Sequence, residues 1–339
     1  MAPEKIALSV LIPAFNEAGS LSATIESVRR NLISAKIAFE VIVIDDGSTD
    51  ATLDAASQTD ARVICHGSNL GYGVALKSGL EIASYDFIGI IDADGTYPPE
   101  AFIALIDALQ GADMVVGSRP VHIAGLPLTR RPARWLLTKL TEYVTGTKIP
   151  DINSGMRIFP KALARQYLHL LPDGFSFTTT LTVASLCDRY HIVYRPIEYF
   201  ERIGHSKIVP RNFFDFISLV LRLSMLFRPL KLFVPIGMAL LILGLIKVGA
   251  DLAIAIGHPH PFAQDFFILP MVSNSALVLL LVGFQFLLAG MFADAVLHNL
   301  SAPNVVKLRS RRSAVTEHAG LVASKKTAGG AITRSSTAD

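Results

Sequence analysis

The chain has 339 residues, is 51% hydrophobic and carries a formal net charge of +3, and its mean hydropathy of +0.45 exceeds what a soluble domain needs. From Lys307 to the end seven Lys/Arg stand against two Asp/Glu, a balance of +5 that leaves the rest near −2, so the basic excess belongs to a tail and gives no sign of a nucleic-acid partner. Two cysteines, Cys65 and Cys187, make neither a disulfide framework nor a metal pattern.

The opening MAPEKIALSVLIPAFNE holds one short run of β-formers, expected to be a strand and not a secretory leader, which keeps the soluble part in the cytoplasm. ALSVLIP, FEVIVIDD, RVICHG, DFIGIID and ADMVVGS follow as short Val/Ile-rich runs ending at polar or Gly/Pro punctuation, with helical patterns such as 21–33 and 74–83 between them. This alternation predicts an α/β fold, a mostly parallel sheet covered by helices. Ligands of such sheets lie beyond the carboxyl ends of the strands. The loops there are PAFNE, DDGSTD, HGSNLGYG, DADGTYPP and GSRP. Alternation along a strand is expected to put Asp92 and Asp94 on one face, where a divalent cation would offset their repulsion and hold a diphosphate. Asp45 and Asp46 are more than a strand-to-helix turn needs, and fit base or ribose donors. GSNLGYGVALKSG is not a phosphate loop, because Leu76, not glycine, precedes Lys77.

A helical stretch over 128–146 carries Arg134 and Thr138, four apart and on one face. Ser154, Gly155 and Arg157 are expected in a loop before a strand. Helices are expected near 162–171 and 179–190, then a strand IVYRPIEY and the basic segment ERIGHSKIVPR with Arg202 and Lys207. Singly each cation reads best as a surface charge. Together they stand where a lipid phosphate needs guanidinium donors. RNFFDFISLVLRLSMLFRP sets Arg211, Asp215, Ser218 and Arg222 on one stripe of a helix suited to a membrane interface. Two spanning segments are expected over about 230–256 and 267–297, each longer than the roughly 20 residues a bilayer needs. Lys/Arg flank both spans and are missing from the loop between them, which puts both ends of the chain in the cytoplasm. Lys247 and Asp251, one turn apart, are expected to pair or to snorkel. Gly237 with Gly244, and Gly283 with Gly290, suit close helix approach, within the chain or in a homo-oligomer. The Ser/Thr/Ala/Gly-rich tail is expected to be disordered.

In order along the chain, VLIPAFNE, VIVIDDGSTD, NLGYGVALKSGL, DADGTYPPE, GSR, DINSGMRIF and RIGHSK resemble glycosyltransferase family 2 of the GT-A type. Within that family they are most similar to polyprenyl-phosphate glycosyltransferases such as dolichyl-phosphate mannose or glucose synthases. The resemblance implies a nucleotide pocket lined by Pro13, Phe15, Glu17 and Asp46, with Asp45 nearby; Lys77 is also expected among the binding residues. It implies Asp92 and Asp94 on a metal-diphosphate, with Mg²⁺ or Mn²⁺ as cofactor. It also implies Arg119, Arg134 and Thr138 on the acceptor phosphate, an acceptor loop at Ser154 and Gly155, and a diphosphate clamp of Arg202 and Lys207. Many relatives carry Gln as a metal ligand where this chain has Thr96, and often Phe where it has Met156.

The expected reaction is inverting transfer of one hexose from a UDP- or GDP-sugar to a dolichyl or undecaprenyl phosphate. The expected layout is a catalytic domain over 1–208, an interfacial helix over 209–229, two spans within 230–300 and a tail over 301–339. A processive polysaccharide synthase is disfavoured because RPARW has Arg where that class needs Gln and precedes DINSG. A non-catalytic scaffold would be expected to have lost the acidic pair or the basic cluster, and neither is lost.

Overall fold

A computed structural model describes residues 6–119, 131–174, 176–200, 212–257 and 272–300. The chain divides into two compact units that meet in sequence between Arg228 and Pro229.

The first unit is built on seven strands: β1 (Ala7–Ala14), β2 (Ala38–Asp45), β3 (Arg62–Cys65), β4 (Phe87–Ile90), β5 (Met114–Ser118), β6 (Arg157–Pro160) and β7 (Ile192–Pro196). They pair in the order β3-β2-β1-β4-β6-β5-β7. β6 runs antiparallel to both its neighbours, and every other pairing is parallel. Strict alternation sends Val41 and Val43 to one face and Ile42 and Ile44 to the other, so both faces are apolar and both are covered. One face takes α1 (Leu21–Ser34), whose Leu21, Ile25, Val28 and Leu32 recur at helical spacing, together with α2 (Thr52–Ser57) and α4 (Ala101–Ala108). The other takes α3 (Tyr72–Ile82), α6 (Lys161–Gln166) and α7 (Phe177–Cys187). All eleven residues of α7 are buried, because a further cluster joins it to α5 (Arg131–Thr145) and α8 (Asn212–Phe227).

Some expectations need correcting. β4 ends at Ile90, so Asp92 and Asp94 are not strand residues; they lie in the turn that Gly95 makes at φ +72°. Arg157 opens a strand instead of preceding one. The helix expected over 162–171 stops at Gln166. The apolar arc of α8 is not all available to a membrane: Val220 and Leu223 pack against Val144, Ile149, Val183 and Leu186. Ser218 and Arg222, from the expected polar stripe, are exposed. The segment with Arg202, Lys207 and Arg211, and the tail from 301, lie outside the described residues.

The second unit is a pair of helices, α9 (Pro229–Gly257) and α10 (Asn274–Leu300). Their apolar stretches, Pro229–Ile254 and Asn274–Leu297, have mean hydropathies of 2.3 and 2.4, and both are long and apolar enough to cross a membrane. Outward residues such as Leu245, Ile246 and Phe292 are exposed apolar groups, as lipid-facing positions require. The glycines are spent inside the pair. A Cβ on Gly237 would lie 2.9 Å from the Gly283 carbonyl oxygen, and one on Gly283 would lie 3.0 Å from that of Gly237. Lys247 donates to Asp251, whose other oxygen accepts from Ser273 N at 2.9 Å and from its hydroxyl, just before α10 begins.

Candidate active site

The carboxyl ends of β1, β2, β4 and β5 open onto one cavity of about 480 Å³. Because β6 is reversed, its amino end arrives at the same edge: Arg157 pairs with Ile90, the last residue of β4. Of the expected site residues, Pro13, Phe15, Glu17, Asp46, Asp92, Asp94, Arg119 and Gly155 line the cavity.

Asp46 is only 4% exposed. Its Oδ1 accepts from His66 Nδ1 at 2.8 Å and Leu70 N at 3.0 Å, and its Oδ2 from Gly71 N at 2.8 Å. Asp45 points elsewhere: it accepts from Ser48 N at 3.3 Å and from the Ser48 hydroxyl, so it ties down the turn. Asp92 Oδ1 accepts from the Tyr72 hydroxyl at 3.0 Å. Burial, and then the Asp92 charge, push the Tyr72 phenol well above its ordinary value, so it stays a donor. Gly155 lies against the other oxygen, where a Cβ would stand 2.6 Å from Asp92 Oδ2 and would push the carboxylate from its place. Asp94 Oδ1 accepts from Thr96 Oγ1 at 2.6 Å and Thr96 N at 3.1 Å.

Arg119 reaches the cavity already engaged. Its Nε and Nη2 donate to Asp151 at 2.6 and 2.9 Å, and its guanidinium lies 5.1 Å from the Tyr199 ring centre. Burial works against its charge, but the Asp151 hydrogen bonds prevail and raise its pKa above the ordinary value. Two of its five N–H groups are taken by that carboxylate, and three are left for a ligand. Ser154 is buried and does not line the cavity; its hydroxyl donates to the Gly117 carbonyl at 2.5 Å. Lys77 also lies off the cavity, donating to Asp173 at 2.7 Å. Arg134 and Thr138 are both on α5, with the Arg134 side chain outside what is described.

The expected set omitted several residues. Tyr72, Tyr97, Tyr199, Asn153 and Thr179 also line the cavity. Gly155 N donates to the Tyr97 hydroxyl at 2.8 Å. Beneath the loop, fully buried Arg157 donates to the carbonyls of Ser154 and Thr178 and to Thr182 Oγ1. Asp151 and Asn153 stood in the DINSG motif as polar loop residues and were open to notice; the tyrosines gave no local signal.

Among the described residues no three His, Cys, Asp or Glu converge to hold a metal alone. Two carboxylates beside an open cavity suit a hard divalent cation that takes its other ligands from a diphosphate and water.

Among solved structures, the glucosyl-3-phosphoglycerate synthase of Mycobacterium tuberculosis, in complex with Mg²⁺ and uridine diphosphate, has the same fold. Its TM-score is 0.51 at 24% identity, over 64% of this chain and 79% of that one. The architecture is thus of the GT-A class. Residues 9–168 match glycosyl transferase family 2. The undecaprenyl-phosphate mannosyltransferase of Micrococcus luteus is 30% identical over 214 residues, which are 58% of this chain and 86% of that protein. The low-salt glycan biosynthesis hexosyltransferase Agl6 of Haloferax volcanii is 32% identical over 209 residues, 59% of this chain but only 49% of that relative, so the chain spans about half its length. The chain belongs to glycosyl transferase family 2 and is a glycosyltransferase.

Proposed function

We propose that this glycosyltransferase moves one hexose from a nucleoside diphosphate to the phosphate of a polyprenyl lipid. The observation that carries the reading is the single cavity lined by Asp46, Asp92, Asp94 and Arg119. The names of its relatives and the two long apolar helices support a lipid acceptor.

The attacking group is a phosphate oxygen. A phosphate monoester is mostly ionised near neutrality, with a second pKa of about 6, so no general base is needed. That oxygen bonds to the anomeric carbon as the bond to the nucleoside diphosphate breaks, which inverts the centre. A divalent cation, Mg²⁺ or Mn²⁺, held by Asp92 and Asp94 would neutralise charge on the departing diphosphate. Tyr72 and Gly155 fix the Asp92 carboxylate, and Thr96 fixes that of Asp94. The remaining N–H groups of Arg119 orient an anionic oxygen, with Arg134, Thr138, Arg202 and Lys207 as the further acceptor and diphosphate contacts. Pro13, Phe15 and Glu17 hold the nucleoside.

We assign residues 1–208 to catalysis, 209–229 to the membrane surface and 230–300 to the spans, with the catalytic unit and the tail over 301–339 on the cytoplasmic side. The test is incubation of the purified full chain with polyprenyl phosphate, Mg²⁺ or Mn²⁺ and labelled UDP- and GDP-hexoses, followed by lipid extraction. Label enters the lipid phase with wild type, and Asp94→Ala lowers this by at least about 100-fold. Wild-type transfer by a folded Asp94→Ala chain removes the reading.

A further inference from the structure

We propose that His66 restricts the donor to a base with a single imide N–H, uracil and not guanine; this rests on the nucleotide-sugar reading above. Asp46 follows β2 and Asp94 follows β4, with β1 between them. Two strand spacings, about 10 Å, therefore separate the carboxylates along the sheet edge. A nucleoside whose diphosphate lies at Asp92 and Asp94 runs over Pro13 and Phe15 and brings its base edge to Asp46.

A carboxylate has about four acceptor positions. At Asp46 three are filled: His66 Nδ1 and Leu70 N on Oδ1, and Gly71 N on Oδ2. Because a carboxylate only accepts, Nδ1 carries hydrogen, and Nε2, 3.0 Å from Ser78 Oγ, fixes the ring to α3. One position, on Oδ2, is left. Uracil presents one N–H between two carbonyls and uses that position. Guanine presents two adjacent N–H groups and needs both oxygens, so it would have to displace His66 or Leu70 from Oδ1. The His66 side chain is 9% exposed, so its displaced donor would find little water to replace its partner. The two backbone donors come with the fold; His66 is the side chain that closes Oδ1.

The experiment is calorimetric titration of the full chain in detergent with Mg²⁺ and either UDP or GDP. UDP binds wild type at least about ten-fold tighter than GDP. His66→Phe, which keeps a ring but removes the donor, raises GDP affinity and narrows the ratio by about ten-fold. His66→Asn, with an N–H near the Nδ1 position, keeps the ratio. Ser78→Ala loosens the ring, narrows the ratio by less, and serves where the phenylalanine variant does not fold. GDP binding as tight as UDP in wild type, or an unchanged ratio in folded His66→Phe and Ser78→Ala, overturns the inference and leaves the transferase reading intact. Binding of neither nucleotide overturns both.

Discussion

Thr96 stands where many relatives offer an amide ligand, yet it is fully buried and its hydroxyl is turned onto Asp94. In this chain the position donates to a carboxylate through both its hydroxyl and its backbone N–H. Thr96→Val removes one donor of about 1 kcal/mol, so Mn²⁺ binding to the UDP-loaded chain, followed by electron paramagnetic resonance, weakens about five-fold. Thr96→Ser keeps the donor and the affinity. An unchanged Mn²⁺ affinity in the valine chain would separate Thr96 from the cation altogether. Asp46, Asp92, Asp94 and Arg119 were legible from sequence because the ends of parallel strands gather at one edge. His66, Tyr72, Tyr97 and Tyr199 were not. Their neighbours in space come from loops and a helix start, and no local pattern marks a tyrosine that ends beside a carboxylate from one that ends in the core.

At the scale of the element, β2 is held to its neighbours by more than its ladder. Glu40 lies opposite Ser9 in the β1–β2 register and accepts from Ser9 Oγ at 2.6 Å and from Ser84, ahead of β4. Burial alone would raise its pKa, but these hydrogen bonds and Arg62 lower it below the ordinary glutamate value. A lowered folded pKa adds stability above the unfolded value and loses it as pH falls through the folded one. Glu40→Gln is therefore less stable than wild type by about 1 kcal/mol near pH 7. In thermal melts the gap narrows as pH falls below the ordinary glutamate value and closes once it is below the lowered folded one; a gap that persists there assigns it to packing instead. The strands themselves were readable as Val/Ile runs. The reversal of β6 was not, since four residues, RIFP, carry no mark of direction. The packing of α8 was half readable: its apolar arc was visible, but not that Val220 and Leu223 seat on α7 and α5 instead of lipid.

For the whole molecule, two cysteines in one unit report its side of the membrane. Cys65 is exposed and Cys187 buried. In intact cells an impermeant maleimide leaves Cys65 unlabelled, and permeabilised cells label it. A cysteine introduced at position 265, in the loop expected outside, is labelled in both. Labelling of Cys65 in sealed cells reverses the orientation. The paired glycines belong to this scale too. Gly237 and Gly283 bring α9 and α10 within backbone reach of each other, so they are consumed within one chain and are not a ready seam for a second copy.

The reversed strand β6 has a consequence for how such an enzyme diversifies. It enters at the cavity edge and leaves at the far edge, between β4 and β5. The chain thus leaves the sheet after Ser118 and re-enters it at Arg157 on the same rim. The described part of the segment between them, Arg119 and 131–156, supplies no strand to the sheet, so the pairing of β1, β2 and β3 does not involve it. On the proposed function, a chimera carrying a relative's 119–156 segment is expected to trade lipid preference while keeping its own nucleotide, which would make donor and acceptor choice separately heritable.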